Sequence, residues 1–172
     1  MKPPSKSFDI IVVGGGHAGI EAAQIAGTLG ARVGLVTLDV SSLGRMSCNP
    51  AIGGLAKGQM VREIDVLGGI MGRAADKSGL QFKLLNKSKG KSVWSPRAQV
   101  DKRQYEKTVS GEVSSHKNVK IIEGEIVGLK IKKHTLCGVV FRSGESLDCR
   151  AAVLTCGTVS YTHLTLPTTP YV

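Results

Sequence analysis

The sequence of 172 residues has no run of about 18 consecutive apolar residues, so no segment is expected to cross a membrane as a helix. Residues 1–7 are polar and lack an apolar core, which argues against a secretory signal, and they do not form an Arg-rich organellar presequence. Cysteine is sparse. Cys48, Cys137, Cys149 and Cys156 show neither a C-x-x-C pair nor a histidine at ligand spacing, so they read as intracellular thiols rather than a disulfide framework or a zinc site. Acidic residues are few, 13 Asp and Glu against 23 Lys and Arg, and the formal net charge is +10. The excess is concentrated: Lys83, Lys87, Lys89, Lys91, Arg97, Lys102, Arg103 and Lys107 stand against only Asp101 and Glu106, a local charge of +6. On charge alone this segment suits a polyanionic partner, nucleic acid being the commonest, or equally a solvated lysine-rich face. The length allows one domain with a real core and is too short for most two-domain enzymes.

What is present begins at Phe8. The apolar run Phe8–Val13 leads directly into Gly14-Gly15-Gly16-His17-Ala18-Gly19, a G-x-G-x-x-G, followed by the small residues Ala22 and Ala23 behind Glu21. Gly14 permits a tight turn out of the strand, Gly16 lets backbone approach a pyrophosphate, and Gly19 lets the helix pack against the strand. The N–H groups at the helix start face the phosphates. The spacing predicts a strand over 8–13, a helix over 17–29 with a small packed face (Gly19, Ala22, Ala23, Ala26), and a strand over 32–38, together a βαβ unit that binds a dinucleotide.

Residues 39–58 are rich in glycine and serine and suit a loop laid over a ligand. A helix over 59–67 places Met60, Ile64 and Leu67 on one stripe and stops at Gly68-Gly69. A short strand over 80–85, a basic turn over 86–92, a helix from Asp101 to about Ser115 and a third parallel strand over 119–122 follow. Strands over 125–131, 138–142 and 145–149 read as an antiparallel meander, and 151–155 as a returning core strand that ends in Cys156-Gly157-Thr158. The stretch 159–172 differs in kind: it has no Asp, Glu, Lys, Arg or Gly but four threonines and two prolines. It reads as a read-through or assembly scar, leaving 1–158 as a partial dinucleotide-binding domain.

The first motif resembles flavoproteins of the glutathione-reductase type. The run Gly44-Arg45-Met46-Ser47-Cys48-Asn49-Pro50-Ala51-Ile52-Gly53-Gly54, with Lys57-Gly58, Glu63-Ile64-Asp65 and Leu67-Gly68-Gly69, closely resembles the GidA/MnmG family. So do Gln81-Phe82, Leu85-Asn86, Lys89-Gly90 and Arg97-Ala98-Gln99, and the likeness runs almost without gaps from Phe8 to Thr158. The resemblance implies an α/β fold: a Rossmann-like FAD-binding domain with a parallel sheet and a small antiparallel meander. It implies FAD at Gly14, Gly15, Gly16, His17, Ala18 and Gly19, with later contacts at Ile126 and at Gly157 in the turn Thr155-Cys156-Gly157-Thr158. It implies a bacterial cytoplasmic or mitochondrial enzyme that, with the partner GTPase MnmE, adds a (carboxymethyl)aminomethyl group to C5 of the wobble uridine (U34) of tRNA. FAD, NADH and a folate-derived one-carbon unit serve that chemistry, and full-length members are homodimers. The chain then corresponds to the start of a longer protein, without the NADH-binding insert or the C-terminal helical region, and is not expected to catalyse alone.

Cys48 is the sharpest chemical candidate. A thiolate adding at uracil C6 generates an enolate that makes C5 nucleophilic, and Arg45 or Lys57 would lower the thiol pKa; a small buried hydrophobe is the bland alternative. Lys57 fits either the flavin N1–C2=O locus or the surface, and the other three cysteines read as core. Lys89, Lys91, Arg97 and Arg103 are the tRNA-contact candidates, and Trp94 fits a base-stacking role or a core anchor. The acid that usually follows the second strand and binds ribose is replaced by Thr37, with Asp39 two positions later. Two rival readings stand beside this one: a generic FAD-dependent small-molecule oxidoreductase, and an inactive flavin- or RNA-binding module.

Overall fold

The structure, a computed structural model, describes residues 7–46 and 49–157. Its first unit is the βαβ read from the sequence. Strand β1 (Ser7–Val13) enters helix α1 (His17–Thr28), and β2 (Val33–Thr37) returns parallel to β1, with Ile10 opposite Val33 and Val13 opposite Val36. Ile11, Val12, Leu35 and Val36 are all buried, so both faces of these strands are covered, which is why they read as unbroken apolar runs. The buried face of α1 is Gly19, Ile20, Ala23, Ala26 and Gly27, whereas Ala22 is only half-buried. At the end of α1 the Asn118 carboxamide donates to the Gly27 carbonyl at 2.9 Å, satisfying one of the orphan acceptors.

Helix α2 (Lys57–Val66) and helix α3 (Met71–Ser78) belong to a second layer, with a three-stranded antiparallel sheet of β3 (Ala51–Gly53), β5 (Ser95–Val100) and β4 (Gly79–Leu85), in that order. Of these elements only α2 and β4 are predicted from the sequence. The stripe Met60, Ile64, Leu67 is not the packed face of α2: Met60 and Leu67 are exposed, at 54% and 72%. The helix instead seats through Gly58, where an added Cβ would meet Pro96 of β5, and half-buried Val61. Helix α3 has no polar residue of its own at its start. Glu21 of α1 supplies the cap, accepting from the backbone N–H groups of Ile70 at 3.0 Å and Met71 at 2.7 Å.

Helix α4 (Lys102–Ser114) starts as predicted, with the Asp101 carboxylate accepting from the Gln104 N–H at 2.8 Å. Its buried Tyr105, Val109 and Val113 join Ile20, Ala23 and Leu35 in the core on the helical side of the main sheet. Strand β6 (Val119–Glu123) then pairs parallel with β2. Strands β7 (Ile126–Lys132), β8 (Thr135–Phe141) and β9 (Ser146–Leu154) form the meander. The two strands expected over 145–149 and 151–155 are one. Strand β9 is continuous because it serves two partners, β8 antiparallel from Ser146 to Asp148 and β1 parallel from Asp148 to Leu154.

The main sheet has the order β6-β2-β1-β9-β8-β7, and its two edge strands are joined only by Gly124 and Glu125. Six flat strands set their outer members about 24 Å apart, whereas two linking residues span about 11 Å. The sheet therefore curls. Ile11, Val13, Val36, Ile126, Val139, Phe141 and Cys149 form the second core, on the face away from α1. Among the described residues no helix is long and apolar enough to cross a membrane.

Candidate cofactor cleft

The curl brings four chain segments together at the carboxyl ends of the parallel strands. A cleft of about 570 Å³ opens there, lined by the glycine turn after β1, Val36 to Leu38 at the end of β2, Gly124 to Ile126, and Thr155 to Gly157 after β9, with Ser42 and Arg45 closing one side. This is where open α/β sheets bind ligands.

The glycines of the turn differ in what surrounds them. Gly14 has φ +118°, and a Cβ there would strike the Thr155 carbonyl oxygen. A Cβ on Gly19 would strike the Gly14 carbonyl oxygen, so α1 reaches its place against β1 only without one. At Gly16, which lines the cleft, a Cβ would meet no protein atom within 4 Å. The turn is held from both flanks. Gly14 N–H donates to the Val36 carbonyl at 2.8 Å, Thr155 N–H to Val13 at 2.8 Å, and Gly44 N–H to Gly15 at 3.0 Å. The Thr155 hydroxyl also donates to the Val13 carbonyl at 2.9 Å. Among the described residues no side chain caps α1, and its first turn holds no acidic residue, so its N–H groups and the positive end of its dipole suit an anion.

Of the residues expected at the cofactor, Gly14, Gly15, Gly16, Ile126 and Gly157 line this cleft. His17, Ala18 and Gly19 form the first turn of α1 behind it. The His17 ring packs on Tyr105, with ring centroids 5.6 Å apart, and burial pushes its pKa down, so its contribution to an anion comes through backbone. Burial likewise pushes the Tyr105 hydroxyl up, helped by the negative charge of Glu21. Thr37 ends β2 at the cleft wall. Asp39 does not reach it: its carboxylate accepts from the Ser41 N–H at 2.8 Å, the bond that holds its pKa below the usual range. Arg45, which lines the cleft, is not among the residues predicted from the sequence to bind the cofactor, since nothing in local spacing points to a side chain delivered by a long loop; Thr155 and Cys156, in the segment that the family resemblance sets against the flavin, line the cleft beside Gly157.

Cys48 lies outside the described residues, as does the stretch 159–172. Cys149 is buried, and burial pushes its thiol pKa up. Cys156 was expected in the core; it is half-buried and lines the cleft, because β9 ends at Leu154 and the chain leaves the sheet there. Lys57 is exposed at the start of α2. Among the described residues no three His, Cys, Asp or Glu gather as metal ligands would.

The basic residues distribute along the small sheet. Lys89 and Lys91 sit in single 3₁₀ turns of the β4–β5 connection, exposed, and Arg97 lies midway along β5. Arg103 lies in the first turn of α4, past the far end of β5, so roughly 20 Å of strand separates it from the lysine turns. Trp94 is 36% exposed and its indole N–H donates to the Lys87 carbonyl at 3.3 Å, bracing the turn.

The family model "Glucose inhibited division protein A" matches residues 9–169, a span that continues into the stretch 159–172. The chain is 46% identical over 153 residues to the tRNA uridine 5-carboxymethylaminomethyl modification enzyme MnmG of Endomicrobium trichonymphae, covering 89% of this chain and 26% of that protein. It is 48% identical over 151 residues to the MnmG of Aquifex aeolicus, covering 88% and 24%. The chain thus spans about a quarter of the length of these relatives. The Aquifex aeolicus GidA crystal structure superposes with a TM-score of 0.84 at 46% identity, covering 88% of this chain and 25% of that one. PqsL of Pseudomonas aeruginosa, named "a probable FAD-dependent monooxygenase", shares the fold at a TM-score of 0.58 and 15% identity, covering 85% and 41%. With its glycine turn, its cleft and its sequence in agreement over nearly their whole length, this chain belongs to the GidA family.

Proposed function

We propose that this chain is the FAD-binding part of a flavoprotein that modifies C5 of the wobble uridine of tRNA. The observation that carries the reading is the cleft at the strand ends, lined by Gly14, Gly15 and Gly16 of the turn, with open space beside Gly16. The relatives' name, tRNA uridine 5-carboxymethylaminomethyl modification enzyme, supplies the substrate and the product. In this reading the backbone of Gly14, Gly15 and Gly16 and the start of α1 hold the cofactor diphosphate, and Arg45 adds a cation at the rim. Ile126 and Gly157 bound the cleft on the side of β7 and β9. Bound FAD supplies reversible two-electron exchange. Thr155 acts through the turn, as its hydroxyl and amide fix the Val13 carbonyl and thereby the position of Gly14.

Cys48, on its sequence context, is the proposed nucleophile. Its thiolate adds to uracil C6, the electron pair moves to O4 as an enolate, and C5 attacks a one-carbon electrophile; loss of the C5 proton and of the thiolate restores the ring. Lys89, Lys91, Arg97 and Arg103 are the proposed tRNA contacts. NADH as electron donor, the GTPase partner MnmE and homodimer assembly belong to the full-length protein, and the family resemblance is what supports them. The test is the visible absorption spectrum of the purified chain, with the chromophore identified after denaturation. FAD recovered near one equivalent is expected; a folded, colourless protein that takes up no added FAD refutes the cleft assignment.

A further inference from the structure

We infer that the outer face of the small sheet is a nucleotide subsite in which Lys83 and Arg97 hold a phosphate and Gln81 and Gln99 hold the polar edge of a pyrimidine base. The register of β4 against β5 sets Gln81 opposite Gln99 and Lys83 opposite Arg97. Strand alternation puts all four side chains on one face, while Phe82 and Ala98 line a cavity beside α2 and α3 that Lys83 and Arg97 also border, together with Asp65 and Asp76. These four residues, with Leu85 and Asn49, line a cleft of about 360 Å³ that shares no residue with the cofactor cleft.

Three features set this face apart from a solvated lysine surface. Two cations oppose each other directly across the ladder, an arrangement that costs stability. Among the described residues no carboxylate lines this cleft, and neither Lys83 nor Arg97 takes part in an ion pair. The adjacent rung is a pair of carboxamides, each carrying both a donor and an acceptor, which is the complement of the imide edge of uracil. A guanidinium fork and an ammonium together suit a phosphate. Successive same-face rungs lie about 7 Å apart, so phosphate and base of one nucleotide fit on neighbouring rungs. The volume stands at the small end of ligand cavities, right for a mononucleotide rather than a dinucleotide. An enzyme that works on a base within RNA must take that base out of its stack and read its exposed edge; the inference rests on the tRNA reading above and names where the extruded nucleotide is read.

The experiment titrates the whole chain with uridine 5′-monophosphate, inorganic phosphate and uridine, following the Gln81, Gln99 and Arg97 side-chain N–H signals by NMR, with labelled tRNA binding measured in parallel by anisotropy. Uridine 5′-monophosphate is expected to bind at least tenfold tighter than phosphate or uridine. Arg97→Gln and Lys83→Gln are each expected to weaken it about tenfold while raising Tm by about 1–3 °C, because a like-charge pair is relieved. Gln81→Leu with Gln99→Leu is expected to weaken the nucleotide and leave phosphate binding unchanged, with circular dichroism reporting the fold. Phosphate binding as tight as the nucleotide, or a lowered Tm for both charge-removing variants, overturns the subsite. Normal tRNA binding with no response to the nucleotide also overturns it but leaves the tRNA reading standing, whereas loss of both takes the reading with it.

Discussion

Removing the Glu21 carboxylate should unseat α3. Glu21 lies on α1, yet it accepts from the backbone of Ile70 at 3.0 Å and Met71 at 2.7 Å, the first donors of a helix whose N-cap residue, Ile70, has no polar side chain and is 1% exposed. Glu21→Ala leaves both donors without an acceptor in a place water reaches poorly. Losing an N-cap costs about 0.5–2 kcal/mol, and the lost charge at the positive end of the helix dipole about 0.3–1 kcal/mol more. A destabilisation of about 2 kcal/mol is expected for Glu21→Ala, and about 1 kcal/mol for Glu21→Gln, which keeps an acceptor but loses the charge. For a chain of this size that corresponds to about 4–8 °C in Tm for the alanine variant. Urea unfolding followed by circular dichroism gives the free energy, and amide exchange at Ala74 and Ala75 gives its location. A loss below about 0.5 kcal/mol, or exchange no faster in α3 than elsewhere, refutes the capping argument.

Four further outcomes are expected. Glu112 is pushed up by burial but pulled further down by hydrogen bonds from Lys77 at 2.9 Å and Arg73 at 3.1 Å, so its folded pKa is depressed. Its stabilisation is present above the unfolded value near 4.3 and is lost as pH falls through the folded value; Glu112→Gln should cost about 1 kcal/mol at neutral pH, with the gap to the parent closing as pH falls below the unfolded value and through the depressed folded one, and a pH-independent gap refutes the pairing. Gly16→Ala should keep the unfolding free energy within about 1 kcal/mol of the parent yet lose FAD at least tenfold, while Gly19→Ala, forced into the Gly14 carbonyl, should lose the fold's stability first; equal effects in unfolding and flavin titration would contradict the division of roles. Charge reversal of both Lys89 and Lys91 should weaken tRNA binding and lower the slope of log K against log salt by about 1–2, and an unchanged slope would mark a merely solvated face. Cys48→Ala, carried in a full-length protein, should abolish uridine modification with flavin still bound, and retained modification would remove Cys48 from the chemistry.

The βαβ unit was legible because its information is local. Strand, glycine turn and helix lie within about thirty residues, and the contact that requires Gly19 is one the motif itself makes, with the Gly14 carbonyl. Helix α4 was equally legible, since Asp101 carries its own cap. Helix α3 was not: its cap is Glu21, brought to it only by the packing of α1. The strands β3 and β5 were missed for a related reason. One is three residues long, the other contains Pro96, and neither carries an apolar alternation long enough to mark a strand without its pairing partner. Local alternation also split β9 in two, because no short-range rule shows that one strand passes from β8 to β1 as partner.

The same division runs through the candidate site. From residue order alone came the glycine turn, the family and the excess of cations between Lys83 and Lys107, all properties of a linear string. Ile126 and Gly157 entered through the family resemblance, not through their own spacing. Tertiary structure decided that Ile126 and Gly157 stand beside Gly16, since a two-residue link can join opposite edges of a six-stranded sheet only if the sheet curls. It also decided that Lys83 faces Arg97 and Gln81 faces Gln99, because cross-strand neighbours are set by register, and a slip of one residue would turn every one of those side chains to the other face.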